Sequence, residues 1–281
     1  MPSKIECIHI VTKMGDRVAG KLGSEIAAWL AARGVAVQVQ EHRQDSGGSA
    51  VQEPCRPDMA LVLGGDGTLL SVARKFMPTG IPLLGINVGH LGFLAKADVG
   101  DWPARLEKLL ELGLDVDERL ALHCEVLREG QIVHQSAAIN DVVVSRGPMA
   151  RLIRLRLFCE GELVAALRAD GVIVSSPTGS TAYAISAGGP LIHPALEVMG
   201  VTAICAFMGN LRSLVIPADL TMDILVEEVW GDVFLTEDGQ QGQRLVAGDL
   251  VRVTKAKQGL RLVHLDGAGY FTTLQDKGFT R

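Results

Sequence analysis

The 281-residue chain has no run of about 20 predominantly apolar residues; its longest uncharged segment, Gly171 to Leu196, is full of Gly, Ser, Thr and Pro. No membrane-spanning helix is expected. The apolar run from Ile5 to Val11 is broken by Glu6 and lacks a small-residue cleavage site after it, so it is expected to be a first strand, not a signal peptide. Blocks of like charge are missing too. With 27 Lys+Arg against 32 Asp+Glu the net charge is −5, which argues against a broad basic surface for nucleic acid. The five cysteines, Cys7, Cys55, Cys124, Cys159 and Cys205, are odd in number and form no C-x-x-C pair, so reduced thiols in a cytoplasmic protein are expected. No H-E-x-x-H, His/Cys cluster or G-x-S-x-G elbow occurs, so neither a structural metal site nor hydrolase chemistry is expected; His123 with Glu125 reads as surface.

What is present is ordinary globular composition, 48% hydrophobic and 21% charged, enough for one large domain or two ordinary ones. Apolar runs alternate with helix-period segments in the first part. Ile5–Val11 is followed by a helix over Asp16–Arg33, with Val18, Leu22, Ile26, Trp29 and Leu30 on one face and Gly34 as its stop. Val35, Val37 and Val39 have strand period. After a polar loop (Gln44 to Pro57), Met59–Leu63 is a continuous apolar run suited to a strand covered on both faces, and Thr68–Met77 is helical. Ile81–Ile86 is a second buried strand, and Asp101 is placed to cap a helix with Pro103 in its first turn and Leu106, Leu109 and Leu110 inward. This alternation predicts a mostly parallel sheet with helices on both sides.

Beyond about Asp115, short strands and turns take over: Leu122–Leu127, a turn at Glu129-Gly130, Ile132 onward, Asp141–Ser145, Leu152–Phe158, Leu163–Arg168, Val172–Ser175, Val201–Phe207, Asp223–Val229 and Leu250–Thr254. They predict a sandwich or open barrel, with short helices at Thr181–Ala187 and Tyr270–Lys277.

The strongest chemical signal is Gly64-Gly65-Asp66-Gly67-Thr68, between a buried strand and a helix. A glycine-rich turn there presents main-chain N–H groups to phosphate oxygens, and Thr68 is placed to cap the helix. It is neither a Walker A loop nor a G-x-G-x-x-G fingerprint, and an isolated G-D-G is also an ordinary tight turn. A carboxylate amid phosphates suits proton removal from a nucleophile or sharing of a metal ion, both parts of phosphoryl transfer. Ser176-Pro177-Thr178-Gly179-Ser180-Thr181-Ala182-Tyr183, after Asp170-Gly171 and a strand, packs hydroxyls and little bulk into one turn, suited to ribose or phosphate or simply a polar loop. Asn140-Asp141 offers a carboxylate for a ribose diol, or forms a turn. Arg151, Arg154 and Arg156 are dense on one segment, either lining a phosphate site or forming the solvated face of an edge strand.

These segments, together with Gly85-Ile86-Asn87-Val88-Gly89-His90-Leu91-Gly92-Phe93-Leu94, resemble in order and spacing the signature segments of NAD kinases over nearly the whole chain. The first segment is shared with diacylglycerol kinases and more loosely with phosphofructokinases; the hydroxyl-rich segment and Gly85–Leu94 are the specific ones. The resemblance implies transfer of the ATP γ-phosphoryl group to the 2′-hydroxyl of the adenosine ribose of NAD, with Mg²⁺ brought in on ATP. It implies Asp66 as general base, Gly64, Gly65, Gly67 and Thr68 against phosphate, and Gly67 beside the dinucleotide. Asn140 and Asp141 are implied as NAD contacts, Thr181, Ala182, Tyr183 and Ser186 as a wall of the adenine-ribose pocket, and Asp170, Arg151, Arg168 and Gln240 (in Asp238-Gly239-Gln240) as further contacts.

The implied fold is a Rossmann-like α/β domain (1–118), a β-sandwich NAD-binding domain (119–257) and a C-terminal segment (258–281) packing back on the first domain. A homodimer or homotetramer is also implied. Two departures stand out: Asn140-Asp141 where the family often has Asn-Glu, and Cys205-Ala206-Phe207-Met208 where many members have Cys-Pro-His. Two rival readings are a non-catalytic NAD(P)-binding sensor and a lipid or sugar kinase of the same superfamily.

Overall fold

A computed structural model describes residues 4–43, 56–89, 92–95, 97–98, 100, 102–149, 151–207, 211–264 and 269–280. The chain divides into two compact units, one made of residues up to 118 together with residues from 260 onward, the other of residues 119–259.

The first unit runs β1 (Cys7–Lys13), α1 (Arg17–Ala31), β2 (Ala36–His42), β3 (Met59–Leu63), α2 (Asp66–Phe76), β4 (Leu83–Asn87), β5 (Ala97–Asp98), α3 (Trp102–Leu112) and β6 (Val116–Arg119). In α1, Asp16 caps the start, its carboxylate accepting from the N–H groups of Val18 and Ala19, both at 3.0 Å. Its buried face is Ala19, Leu22, Gly23, Ile26 and Leu30. The predicted face is rotated by one residue there, because Val18 sits in the capped first turn and is 63% exposed. A Cβ on Gly23 would lie 2.9 Å from Thr12 Cγ2, so the helix rides close on β1. All five residues of β3 are fully buried, as expected of a central parallel strand covered on both faces. The predicted cap of α3, Asp101, lies outside the described residues, while Leu106 and Leu109 are buried as the periodicity requires.

The second unit contains β7 (Leu122–Arg128), β8 (Gln131–Ala138), β9 (Asp141–Arg146), β10 (Ile153–Cys159), β11 (Glu162–Ala169), β12 (Gly171–Ser175), α4 (Tyr183–Ser186), β13 (Val198–Ile204), β14 (Leu214–Pro217), β15 (Met222–Glu228), β16 (Val233–Glu237), β17 (Gln241–Leu245) and β18 (Leu250–Lys255). Two six-stranded sheets, β11-β10-β15-β18-β7-β8 and β14-β13-β12-β9-β16-β17, enclose an apolar core. Val142 and Val144 of β9 face Leu122, Cys124 and Leu155 within it. The architecture is a sandwich. The predicted Thr181–Ala187 helix is instead a 3₁₀ turn at Thr178–Thr181 followed by the single turn of α4. Arg154 and Arg156 do not line a pocket: they alternate with buried Ile153, Leu155 and Leu157 and pair with Glu228 (2.9 Å) and Glu227 (3.6 Å) on the outer face. Their strand is interior, between β11 and β15, not at an edge.

The chain then re-enters the first unit as β19 (Leu260–Val263) and α5 (Tyr270–Asp276). The first sheet has the order β2-β1-β3-β4-β19-β6, with β19 parallel to β4 through Leu262 and Leu83, and β5 parallel to β4 on a side branch. The Phe279 ring meets Phe93 edge-on at 5.5 Å. The expectation of five reduced thiols is corrected: Cys7 is disulfide-bonded, while among the described residues Cys124, Cys159 and Cys205 are free.

Truncating Leu61 of β3, fully buried, to alanine is expected to cost about 2–5 kcal/mol of stability. Val18→Ala should stay within about 0.5 kcal/mol. Chemical unfolding of both variants checks the pair.

Candidate active site

The carboxyl end of β3 runs directly into α2 through Gly64 and Gly65. Gly65 is the N-cap and supplies no side-chain cap bond, and Asp66 puts an acidic side chain in the first turn, at the positive end of the helix dipole. Thr68 does not cap the helix as expected: it lies in the first turn, its own N–H bonded to the Gly65 carbonyl at 3.0 Å. A Cβ on Gly64 would lie 2.9 Å from the Thr68 side chain, so glycine is set there by the tightness of the turn.

Asp66 is the first residue of α2, and its carboxylate is not idle. Oδ2 accepts from the Phe93 N–H (2.8 Å), and Oδ1 from the N–H groups of Leu94 (3.1 Å) and Ala95 (3.0 Å). The specific segment Gly85–Leu94 is thereby explained where it is described, His90 and Leu91 lying outside the described residues. A Cβ on Gly92 would collide with the Asp66 carboxylate, and one on Gly85 with Leu69 of α2 and with Ala95. An ionised carboxylate has about four acceptor positions, so the three N–H bonds made by the described residues leave one, on Oδ2.

Beside this turn, at the carboxyl ends of β1 and β2, Lys13, Met14, His42, Arg43 and Thr68 line a cavity of about 270 Å³. His42 Nε2 lies 2.7 Å from Ser71 Oγ of α2. Burial lowers the His42 pKa, and the charges of Lys75 and Arg74 lower it further. The cavity is thus basic at its rim and backed by a helix N-terminus, which suits phosphate.

In the second unit, the Asn140-Asp141 turn and the hydroxyl-rich segment are built into one another. The Ser176 hydroxyl donates to the Ile139 carbonyl (2.5 Å) and accepts from the Gly179 N–H (3.1 Å), while the Ser176 N–H reaches the Asn140 carbonyl at 2.8 Å. A Cβ on Gly179 would collide with the Asn140 main chain. The Ser180 hydroxyl donates to the Pro177 carbonyl (2.7 Å) and accepts from Ile192 N–H (3.0 Å). Two of the predicted donors, Ser176 and Ser180, are therefore fully buried and spent on the turn itself. Thr181 and Ala182 are half-buried, and Tyr183 and Ser186 are exposed. Asp141 is 4% exposed and its carboxyl bonds the Tyr183 N–H. Its pKa is pushed up to about 7, by burial first and by the charge of Asp238 second.

The family descriptions "ATP-NAD kinase N-terminal domain" and "ATP-NAD kinase C-terminal domain" match residues 8–114 and 139–265. An NAD kinase of Nitratidesulfovibrio vulgaris (strain DSM 19637 / Miyazaki F) is 46% identical over 100% of this chain and 99% of its own length. The chain belongs to the NAD kinase family. An NAD kinase of Oleidesulfovibrio alaskensis is 44% identical, with 100% of this chain and 96% of that one covered. Among solved structures, yeast NADH kinase complexed with NADH superposes with a TM-score of 0.84 at 26% identity, over 98% of this chain and 87% of that one. The fold is also that of an Archaeoglobus fulgidus NAD kinase in complex with ATP, with a TM-score of 0.75 over 96% of this chain and 98% of that one at 24% identity.

The residues that the NAD kinase resemblance singles out in the second unit fall at two ends of one sheet. Asn140, Asp141, Thr181, Ala182, Tyr183 and Ser186 cluster where Asp141 pairs with Ser175. Gln240 joins them, in the turn where its N–H bonds the Glu237 carbonyl at 3.0 Å. Asp170 lies beyond Gly171, which pairs with Ser145 at the opposite end of the same strands, about 17 Å away at 3.4 Å per residue. There Asp170 accepts from Arg146 Nε, and Arg168 lies 5.8 Å from the Phe207 ring. Arg151, exposed, bonds the Trp230 carbonyl through its main chain at 3.3 Å. Two residues were missed by the sequence reading. Arg146 has no local signature, but Asp238 sits in an Asp-Gly pair, a strong hairpin signal.

Gly92→Ala should push Phe93–Ala95 off Asp66. Amide exchange at residues 93–95 is expected to accelerate at least tenfold while the exchange of β3 is unchanged, as measured by mass spectrometry.

Proposed function

We propose that this protein transfers the γ-phosphoryl group of ATP to the 2′-hydroxyl of the adenosine ribose of NAD, producing NADP. The observation that carries the reading is the state of Asp66: it lies at the N-terminus of α2, fixed by three N–H bonds yet keeping one acceptor position on Oδ2. That position can take the hydroxyl proton. A carboxylate is a weak base for an alcohol, so it acts late, as the metaphosphate-like group is already bonding to the oxygen. Most of the acceleration then comes from positioning and from charge. The helix N-terminus at Gly65–Thr68 and the cavity rimmed by Lys13 and Arg43 are assigned the ATP phosphates. Mg²⁺ is assigned to the ATP phosphates as part of that substrate, with at most one or two protein carboxylates, in keeping with its chemistry.

Asn140 and Asp141 are assigned to the dinucleotide, with Thr181, Ala182, Tyr183 and Ser186 beside them and Gly67 and Gln240 as further contacts. Asp170, Arg151 and Arg168 are assigned to the same ligand. Their place at the far end of the sheet supports a homodimer or homotetramer in which one copy offers one end and its partner the other. Among the described residues no helix is long and apolar enough to cross a membrane. A cytoplasmic location is part of the reading; the free thiols of Cys124, Cys159 and Cys205 favour it, and the disulfide-bonded Cys7 counts against it.

The test is NADP formation from NAD, ATP and Mg²⁺, read through an NADP-specific dehydrogenase. Asp66→Asn is expected to lower turnover by about 10²–10⁴. An amide nitrogen turned toward Phe93–Ala95 would also loosen that loop. Exchange at residues 93–95 therefore separates the two roles, base loss alone leaving the loop protected. Turnover near the unaltered level in this variant contradicts the assignment of Asp66. Binding of NAD without product favours a sensor, and product only with lipid or sugar acceptors favours another kinase of the superfamily. Light scattering after size exclusion is expected to return a mass of two or four chains; a monomer contradicts the shared site.

A further inference from the structure

The hairpin between β16 and β17 turns through Asp238 and Gly239, with φ of +51° and +64°, the two left-handed residues of a type I′ turn. This conformation aims the Asp238 carboxylate at the main chain of a different strand. Oδ1 accepts from the N–H groups of Asn140 (2.7 Å), Ile139 (3.0 Å) and Asp141 (3.3 Å), and Oδ2 lies 3.1 Å from the Ile139 N–H. In return the Asp238 N–H donates to the Asp141 carbonyl at 3.0 Å. We propose that Asp238 is a positioning residue for the dinucleotide: it fixes the Asn140-Asp141 turn and sets a second negative charge against the Asp141 carboxylate, making NAD binding depend on pH. This rests on the assignment of Asp141 to the dinucleotide.

The groups around Asp141 leave Asp238 as its principal charged neighbour. β12 places the uncharged Ser175 opposite it. The Thr178–Tyr183 segment offers the Tyr183 N–H, which opposes the rise in pKa. Glu237 of β16 pairs with Val142 and points into the sandwich, where its Oε1 is held by His134 Nε2 (2.7 Å) and Ser136 Oγ (2.6 Å) of β8. Only the ionised carboxylate can accept both hydroxyls of a diol on two oxygens. With the Asp141 pKa at about 7, the competent form is a minority at pH 6 and dominant at pH 8, and the dissociation constant for NAD should fall roughly tenfold between them. NAD itself has no group titrating in that range.

The same shift acts on stability without any ligand. A carboxyl whose folded pKa is raised stabilises the fold below its unfolded value, near 4, and that stability is lost as pH rises through about 7.

The experiment uses Asp238→Asn and Asp238→Gly, both of which tolerate a left-handed backbone. Calorimetric titration of NAD into ATP-free protein from pH 5.5 to 8.5 is expected to show a midpoint near 7 for the unaltered chain. Asp238→Asn keeps an acceptor oxygen and drops the charge, so the midpoint should move down and the loss of thermal stability from pH 5 to 8 should shrink. Asp238→Gly should accelerate amide exchange at residues 139–141 and raise KM for NAD at least tenfold at every pH, with kcat changed much less. An unmoved midpoint and stability profile in Asp238→Asn overturns the electrostatic part. Unchanged exchange at residues 139–141 in Asp238→Gly overturns the clamp. If the unaltered protein binds no NAD while exchange responds as expected, the functional reading fails and the clamp stands as a structural one.

Discussion

The first unit depends on one constraint: the Asp66 carboxylate must sit against three main-chain N–H groups of residues 93–95. A buried N–H without a partner costs about 1–3 kcal/mol, so the loop after β4 has few other places to go once Asp66 is fixed by α2. Gly85 and Gly92 are consequences of that fixation, since a side chain at either would displace Leu69, Ala95 or the carboxylate itself. The acidic residue suspected of chemistry is thus first a structural one. The proton-accepting role proposed for it is compatible with the structural one, because a carboxylate has more acceptor positions than residues 93–95 use.

The same device recurs in the second unit. Asp238 gathers the N–H groups of residues 139–141, and fully buried Asp249 takes the Val246 N–H at 2.8 Å together with two nitrogens of Arg128. In each case a short acid collects donors that strand pairing leaves over at a turn. The hydroxyl-rich segment follows a related economy, since Ser176 and Ser180 close the turn from inside, with Thr181 and Tyr183 in its less buried positions.

Much of this was legible beforehand. The buried strand at Met59–Leu63, the helix following Asp16 and the alternation of β10 all follow from apolar spacing, because burial acts on side chains at fixed periods. Strands missed include Leu214–Pro217, Val233–Glu237, Gln241–Leu245 and Leu260–Val263, short segments whose place is set by neighbours, as when Glu237 enters the core opposite His134 and Ser136. Val116–Arg119 carries no strand signal of its own and joins the first sheet beside β19, a contact between distant parts of the chain. Asp66 and Asp141 were legible as residues and not as partners. Asp238 was in view beside Gln240, and only the fold shows that its hairpin delivers it to Asn140.

A net charge of −5 sits awkwardly with polyanionic ligands only if charge is averaged over the surface. Beyond about 8 Å at physiological ionic strength exposed charges are screened, so what matters is the sign within one site. Around α2 that sign is positive: Lys13, Arg43 and the helix N-terminus border one cavity, and Arg74 and Lys75 depress the pKa of His42. The Asp141 turn is the reverse: Asp238, bound to the main chain of residues 139–141, sets its negative charge against the buried Asp141 carboxyl. Phosphates gain from the first environment and lose in the second, whereas a ribose diol, neutral and rich in donors, gains from the second.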